Sequence, residues 1–136
     1  MSAGYSPNPL IKKLGIKDGY RCLILNEPHH YVDLLGEIPS TAEFSDDPTG
    51  GNFDFCHCFV RAFDQLQGGL LTSKEAIHKG GMIWISWPKA TSPLQADFNG
   101  NDVRSAGLTN GLVDTKVCAV DHDWSGMKFQ YRKKDR

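Results

Sequence analysis

The run at residues 82–87, MIWISW, most constrains the fold of this chain, because almost every residue in it is apolar. A strand with this composition has to be covered on both faces, as in a parallel sheet with helices on either side. Residues 20–25 and 53–60 form two further short apolar runs that are bounded by turn-forming residues. We therefore predict that all three runs are strands, and that they are parallel, central and buried.

The segments between these runs carry the spacing and capping residues of helices. Residues 10–14 have apolar residues at helical spacing, and they follow two possible N-caps, Ser6 and Asn8, each of which precedes a proline. A proline just inside a helix start is favourable because its missing N–H has no partner there, so a short helix ending near Gly15 is predicted. The same spacing predicts a second short helix at residues 30–35.

A longer helical segment begins at Phe63. Its pattern is interrupted by Gly68–Gly69, and Thr72 with Glu75 has the spacing of a capping box, so the segment is either one helix or two. The pair Gly80–Gly81 is predicted to end this segment, because glycine is a poor helix former. A modest helix is also predicted at residues 100–106, with Gly107 following it.

The C-terminal part of the chain has the pattern of a hairpin. Residues 112–120 and 127–132 alternate between apolar and polar positions and are joined by the loop DHDWSG, which predicts an antiparallel pair. Residues 40–44, STAEF, predict a further short strand. The chain is therefore expected to be a single α/β domain spanning residues 1–136. Its fold class is a three-layer, Rossmann-like, mostly parallel sheet of about six strands with a C-terminal antiparallel hairpin.

Charge and hydropathy exclude several classes of partner. The net charge is −1, which favours neither nucleic acid nor an anionic membrane surface. No run approaches the roughly 20 apolar residues of a membrane span. The N-terminus lacks the basic start and apolar stretch of a signal peptide. We therefore expect a cytoplasmic protein that binds neither nucleic acid nor membrane, and whose oligomeric state the sequence leaves open.

The cysteines are predicted to be free and buried, with no metal. Cys22, Cys56, Cys58 and Cys118 all lie in apolar strand-like runs, which suits thiols in a reducing compartment. The adjacent Cys56, His57 and Cys58 suggest a metal site at first sight. Successive residues of a strand point to opposite faces, however, so these three side chains cannot converge on one ion.

Two sets of phrases in the sequence resemble known families. One set resembles class I S-adenosylmethionine-dependent methyltransferases, at residues 14–25, 53–60, 78–88, 106–120 and 124–132. A more specific set resembles a family of small bacterial proteins known as a conserved domain of unknown function, at residues 5–19, 86–89, 111–121 and 124–129. The resemblance implies a truncated methyltransferase-like fold and assigns no activity.

The sequence departs from the methyltransferase pattern at two places. The turn after the first strand is Asn26-Glu27-Pro28-His29-His30, where the family has a glycine-rich turn that approaches the cofactor. A positive φ and close approach of the backbone favour glycine there, and the residues Asn26-Glu27-Pro28-His29 are expected to supply neither property. Between residues 40–44 and Phe53 only a short loop remains, which is expected to leave no adenosine pocket. Glu43, Asp46 and Asp47 are candidates for an acidic ribose partner.

Candidate ligand-binding residues follow the ends of the first and fifth family strands, because ligands bind at the carboxyl edge of open α/β sheets. These candidates are Asn26, Glu27, His29 and His30 after the first strand, and Trp87 and Lys89 at the end of the fifth. Trp124, in the loop of the C-terminal hairpin, is a further candidate. Four of these candidates have a simpler alternative: the two histidines fit a solvent-facing pair, Trp87 fits a core position, and Trp124 fits turn chemistry. No catalytic residue and no cofactor are assigned, because no nucleophile–base pair or metal motif is present.

Three functions remain open. The first is a non-catalytic methyltransferase-like domain that binds a small ligand or a protein partner. The second is an enzyme, a minimal S-adenosylmethionine-dependent methyltransferase. The third is a structural, oligomerising domain, which requires exposed tryptophans at positions 84, 87 and 124 to form an apolar patch.

Overall fold

The computed structural model describes residues 9–136. Helices α1 to α4 span Leu10–Leu14, Tyr31–Leu35, Phe63–Ala76 and Gly100–Thr109. Strands β1 to β6 span Arg21–Leu25, Glu43–Ser45, Phe53–Phe59, Ile77–Pro88, Leu112–Ala119 and Trp124–Tyr131, and a 3-10 helix follows at Lys133–Asp135. The predicted helix caps at Ser6 and Asn8 lie outside the described residues, and Pro9 occupies the N-cap position of α1.

The six strands form one sheet in the order β2-β1-β3-β4-β6-β5. Strands β2, β1, β3 and β4 are parallel to one another. Strand β6 is antiparallel both to β4 and to β5. The predicted α/β fold, its mostly parallel sheet of six strands and its antiparallel C-terminal hairpin are therefore confirmed. Strands β1, β3 and β4 lie inside the sheet, as expected from their apolar sequences.

Each face of the central strands packs into its own apolar core. One core lies under α3 and α4, and its strand residues include Leu23, Cys56, Cys58, Ile83 and Ile85. The other core lies under α1 and α2, and its strand residues include Cys22, Ile24, Phe55, Phe59 and Trp84. Because side chains alternate along a strand, neighbouring residues enter opposite cores, which accounts for the nearly continuous apolar runs.

Helix α3 continues through its glycine pair, so one helix forms, of the two alternatives that the sequence leaves open. Gly68 and Gly69 both lie within one helix. A Cβ added at Gly69 would lie 2.9 Å from Cys58 Sγ. The glycine therefore lets α3 approach β3 closely, and this packing outweighs the low helix propensity of glycine.

The same helix ends earlier than predicted. It stops at Ala76, and β4 begins at Ile77, before the Gly80–Gly81 pair. The glycines instead lie inside β4. A Cβ added at Gly81 would lie 3.0 Å from the carbonyl oxygen of Phe53, where the register of β3 and β4 shifts. Close approach between strands, and not helix termination, explains this glycine.

Gly107 also lies inside a helix and not after it. Helix α4 extends to Thr109, and Gly107 is buried in it. A Cβ added at Gly107 would overlap the ring of Phe129, which lies on β6. The bare backbone at this position therefore sets how closely α4 packs on the sheet.

We expect Gly107→Ala to destabilise the fold by about 2–3 kcal/mol, because the new methyl group overpacks a core ring. Gly68→Ala is the matched control, because nothing lies within 4 Å of its added Cβ and the residue is exposed. That control should raise the free energy of unfolding by about 0.5–1 kcal/mol through helix propensity. Urea unfolding measures both changes. Equal effects of the two substitutions would contradict the packing described here.

The four cysteines are free thiols, but they are not equally buried. Cys22, Cys56 and Cys58 are buried, whereas Cys118 is partly exposed, which corrects the prediction that all four are buried. Burial raises the pKa of Cys22 and of Cys56 to about 12. Such thiols carry almost no thiolate at neutral pH and react slowly.

Thiol titration tests this distribution. We expect about one reactive thiol in the native protein and four after denaturation, because only Cys118 contacts solvent. The Cys118→Ser variant should lose the native signal and keep three thiols in denaturant. Reaction of two or more thiols in the native wild type would overturn the burial of the other three.

Candidate functional site

The carboxyl ends of β1, β3 and β4 lie at one edge of the sheet, which we call the carboxyl edge. The segments that leave it are residues 26–30 after β1, residues 60–62 after β3 and residues 89–99 after β4. Open α/β sheets bind ligands at this edge, at the point where the chain crosses from one face to the other. In this protein that point lies between β1 and β3.

The segment after β1 forms a tight turn without glycine. Asn26 adopts a φ of 59°, so the expectation that this turn lacks a left-handed residue is wrong. Asparagine tolerates this conformation better than most residues do. Pro28 follows, and its carbonyl oxygen accepts a 3.0 Å hydrogen bond from the Tyr31 N–H. The turn therefore has a residue with positive φ, but Asn26 carries a Cβ where the methyltransferase pattern has glycine.

The loop of the β5–β6 hairpin holds both neighbouring segments in place. His30 Nε2 lies 3.0 Å from Asp121 Oδ2, which links the segment after β1 to this loop. The Lys89 N–H donates to the Asp123 carbonyl oxygen over 2.8 Å, which links the segment after β4. Ser92 Oγ donates to Asp123 Oδ1 over 2.9 Å. The hairpin loop thus lies between the two predicted halves of the site.

A buried hydrogen-bond network lies next to this edge and is formed by Tyr31, His57 and Ser86. His57 is fully buried on β3, where its Nδ1 lies 2.8 Å from Tyr31 Oη and its Nε2 lies 2.7 Å from Ser86 Oγ. The ring also stacks on Phe59, with centroids 4.3 Å apart. A neutral imidazole donates from one nitrogen and accepts at the other, so both partners are satisfied. Burial lowers the pKa of His57 to about 3.

One pocket opens beside the end of β4, and we call it the Trp87 pocket. Its volume is about 520 Å³. Its principal lining residues are Trp87, Lys89, Gln95, Phe98, Asn99 and Ser125. The set combines two aromatic walls, two side-chain amides, a hydroxyl and one cation. Such a set suits a small planar ligand that carries a negative group.

Asn99 is fixed in this pocket by its role as the cap of α4. Its Oδ1 accepts hydrogen bonds from the Asn101 N–H at 2.9 Å and the Asp102 N–H at 3.2 Å. Asp102 Oδ2 in turn accepts from the Asn99 N–H at 2.9 Å. This reciprocal arrangement is a capping box, and it positions the pocket wall through the sequence of the helix start.

A second concavity of about 500 Å³ lies between α2 and β2, and we call it the α2–β2 groove. Its apolar lining residues are Ile24, Tyr31, Val32, Leu35, Ile38 and Phe44. Glu27, Ser45 and Asp46 line its polar side. A concavity therefore lies beside the short β2–β3 loop, at the place where the sequence predicts no adenosine pocket. Of the acidic candidates, Asp46 is the one that lines this groove.

The predicted site residues are distributed over these features. Trp87 and Lys89 line the Trp87 pocket, whereas Glu27 lines the α2–β2 groove. Asn26 and His29 are exposed. His30 contacts the hairpin loop, as described above. The structure thus brings Trp87 and Lys89 together and places Glu27 in a separate concavity.

All three tryptophans are buried. Trp84 is 0 %, Trp87 7 % and Trp124 3 % exposed. Trp124 packs edge to face on Phe59, with centroids 4.9 Å apart. The exposed tryptophan patch that the structural, oligomerising hypothesis requires is therefore not formed.

Sequence reasoning missed several residues of these sites. Gln95, Phe98 and Asn99 line the Trp87 pocket, and Tyr31 and Ser86 hold His57. The Asn-x-x-Asp spacing of the capping box is a local signal that identifies Asn99. The partners of His57 are distant in sequence, and no local signal identifies them.

The sequence profile of a family described as "Protein of unknown function (DUF3052)" matches residues 37–133. The chain belongs to this family. No curated protein sequence matches the chain.

Solved structures with a similar fold include S-adenosylmethionine-dependent methyltransferases. An enzyme from Thiobacillus denitrificans, solved in complex with S-adenosyl-L-homocysteine, is 9 % identical, with 97 % of this chain and 94 % of that chain covered and a TM-score of 0.62. Magnesium protoporphyrin IX methyltransferase from Synechocystis, solved with S-adenosylhomocysteine, is also 9 % identical, with coverages of 90 % and 78 % and a TM-score of 0.60. A TehB-like enzyme from Corynebacterium glutamicum is 12 % identical, with coverages of 90 % and 85 % and a TM-score of 0.57.

The similarity of the structures shows the fold, and sequence identities this low leave the activity open. None of the helices within residues 9–136 has the length and apolar character needed to cross a bilayer. In the same part of the chain, no three His, Cys, Asp or Glu side chains are grouped as metal ligands. Cys56 Sγ points to Ser73 Oγ, at 3.3 Å, whereas His57 contacts Tyr31 on the opposite face.

The buried His57 predicts a specific acid sensitivity. Its pKa is about 3 in the fold and about 6.5 when unfolded, so protons bind preferentially to the unfolded chain. Its contribution to stability is complete above pH 6.5 and is lost as the pH falls toward 3. Between pH 7 and pH 5 the loss should be about 2 kcal/mol. The His57→Gln variant keeps hydrogen-bonding groups and lacks this titration, so its stability should fall less over that interval. Urea unfolding at both pH values measures the difference, and equal losses in the two proteins would contradict the burial of His57.

Proposed function

We propose that this chain is a single methyltransferase-like domain that binds a small anionic ligand in the Trp87 pocket and does not transfer methyl groups. The observation that carries the proposal is the state of the segment after β1. It is short, contains no glycine, and is tied to the β5–β6 hairpin loop through His30 and Asp121.

The chemistry of that segment is unsuited to the amino-acid portion of S-adenosylmethionine. Pro28 has no N–H to donate to a carboxylate. Glu27 adds a negative charge close to the β1 end, and like charges repel. Asn26 supplies a positive φ, but its Cβ limits how closely a ligand approaches the backbone. These three features together disfavour the cofactor pose of the methyltransferase fold.

The Trp87 pocket supplies what a different ligand needs. Lys89 provides a cation at the carboxyl edge, and Trp87 with Phe98 provides apolar walls. Gln95 and Asn99 add amide groups that donate and accept hydrogen bonds. The volume of about 520 Å³ lies in the usual range of small-molecule sites. A planar carboxylate or a phosphate ester of modest size matches this set.

The competing function is a minimal S-adenosylmethionine-dependent methyltransferase. Two observations favour it: similar structures are solved with S-adenosylhomocysteine, and Asp46 lines the α2–β2 groove at the end of β2. In this alternative, Asp46 is the acidic partner of the ribose hydroxyls. It assigns ligand binding to the groove and leaves the Trp87 pocket without a role.

Calorimetry separates the two functions. We expect no binding of S-adenosylmethionine or S-adenosylhomocysteine to the wild type at sub-millimolar concentration, for the reasons given above. A thermal-shift panel of aromatic carboxylates, phosphate esters and nucleotides should contain a compound that stabilises the wild type. Lys89→Ala should weaken that compound at least tenfold, because charge-assisted contacts are worth about 1.5–3 kcal/mol. Lys134→Ala, at an exposed position of the C-terminal 3-10 helix, should have no effect.

Micromolar binding of the methyl donor would refute the proposal and restore the enzyme. A panel without any compound that depends on Lys89 would remove the Trp87 pocket as the site.

The proposal also includes a reducing, cytoplasmic setting, which the unpaired state of all four cysteines supports.

A further inference from the structure

The α2–β2 groove exposes apolar side chains that the fold itself does not cover. Val32 on α2 is 63 % exposed, and Phe44 on β2 is 38 % exposed. Both lie beside buried walls formed by Ile24, Tyr31 and Leu35. Strand β2 lies at an edge of the sheet, and its three residues are all exposed. Exposed apolar side chains beside an unpaired strand edge favour contact with another chain.

The charged residues that line this groove carry a single sign. Within residues 22–60 the sequence contains seven acidic residues, while all fifteen Lys and Arg residues lie outside this span. The seven are Glu27, Asp33, Glu37, Glu43, Asp46, Asp47 and Asp54. Glu27 and Asp46 line the groove. Asp33, Glu37 and Glu43 are exposed on α2, on the following loop and on β2. Residues 22–60 therefore form a strongly acidic segment, although the net charge of the whole chain is only −1.

This charge decides between the possible occupants of the groove. Two copies that met groove to groove would bring carboxylates together. Glu43 on the edge strand β2 also disfavours pairing of β2 with the β2 strand of a second copy. Anionic lipids and nucleic acids are repelled for the same reason. A cationic partner is attracted and oriented by complementary charge.

The length of β2 decides the form of the partner. A strand added to three residues would gain few main-chain hydrogen bonds, so side-chain anchors have to supply the affinity. An amphipathic helix presents apolar residues at i, i+3 and i+4 and carries charges on its flanks. We propose that the α2–β2 groove docks a basic amphipathic helix of a partner protein.

A labelled peptide tests the proposal on the full-length protein. The probe is an 18-residue helix-forming peptide with leucines on one face and lysines on its flanks. We expect saturable, micromolar binding to the wild type by fluorescence anisotropy, weakening as salt rises. A peptide with glutamates in place of the lysines should not bind, nor should one with serines in place of the leucines.

Variants locate the binding. Phe44→Ser and the double variant Glu27→Lys/Asp46→Lys should each weaken binding at least tenfold. The matched controls lie on α3: Phe63→Ser, at a residue that is 54 % exposed, and Asp64→Lys/Glu75→Lys, at two exposed acidic residues. These controls should change binding less than twofold. Circular dichroism confirms that each variant is folded before it is compared.

Several outcomes would overturn the docking site. These are the absence of saturable binding to the wild type, equal binding of the glutamate peptide, and equal effects of the groove and control variants. A wild-type dimer in sedimentation that Phe44→Ser disperses would assign the groove to a second copy instead. The inference is independent of the Trp87 pocket, because Lys89→Ala should leave peptide binding unchanged. A failure of one proposal is therefore distinguishable from a failure of the other.

Discussion

The imidazole of His57 is the interaction on which the arrangement of this protein depends. It is buried in the centre of the sheet and joins three elements, because β3 carries the ring, α2 carries Tyr31 and β4 carries Ser86. A buried nitrogen left without a partner costs about 1–3 kcal/mol, so each hydroxyl has to stay in place. Helix α2 has only five residues, and apolar burial alone orients such a short element weakly. The hydrogen bond from its first residue fixes its position over β1 and β3.

Fixing α2 also fixes the segment that precedes it, and this has a functional consequence. The turn from Asn26 to His30 begins at the end of β1 and ends at the residue before Tyr31, so it is held at both ends. Asp121 holds it a third time through His30. The same hairpin loop contacts the Lys89 backbone. The β5–β6 hairpin loop therefore separates two parts of the carboxyl edge. The Trp87 pocket lies beside the end of β4, and the α2–β2 groove lies beside β2 at the edge of the sheet. A binding domain with two separate surfaces is the consequence that we propose.

The strands were predictable from sequence because burial on both faces leaves a local compositional mark. Residues 82–87 could not be anything but a covered strand, and the alternating C-terminal runs defined the hairpin. The predicted helix ends at Gly80–Gly81 and before Gly107 were wrong, because the sequence does not distinguish a glycine that permits close packing from one that ends a helix. Gly81 and Gly107 serve β3 and Phe129, which are remote in the chain. The pairing of His57 with residues 26 and 29 positions away was equally invisible. The candidate residues lie at the carboxyl edge, as the strand ends predict, but their division between two concavities depends on the path of the hairpin loop.

The central claim is that the segment after β1 does not accept the methyl donor. Backbone amide shifts in an NMR titration with S-adenosylhomocysteine test it most directly, because they report binding at named residues. The account predicts no saturable shift at Asn26, Glu27, residues 29–31 or Ser45–Asp47 up to 1 mM ligand, because a dissociation constant of 1 mM already corresponds to only about −4 kcal/mol of binding free energy. Saturable shifts at these residues with a micromolar dissociation constant would contradict it and would identify a working cofactor site.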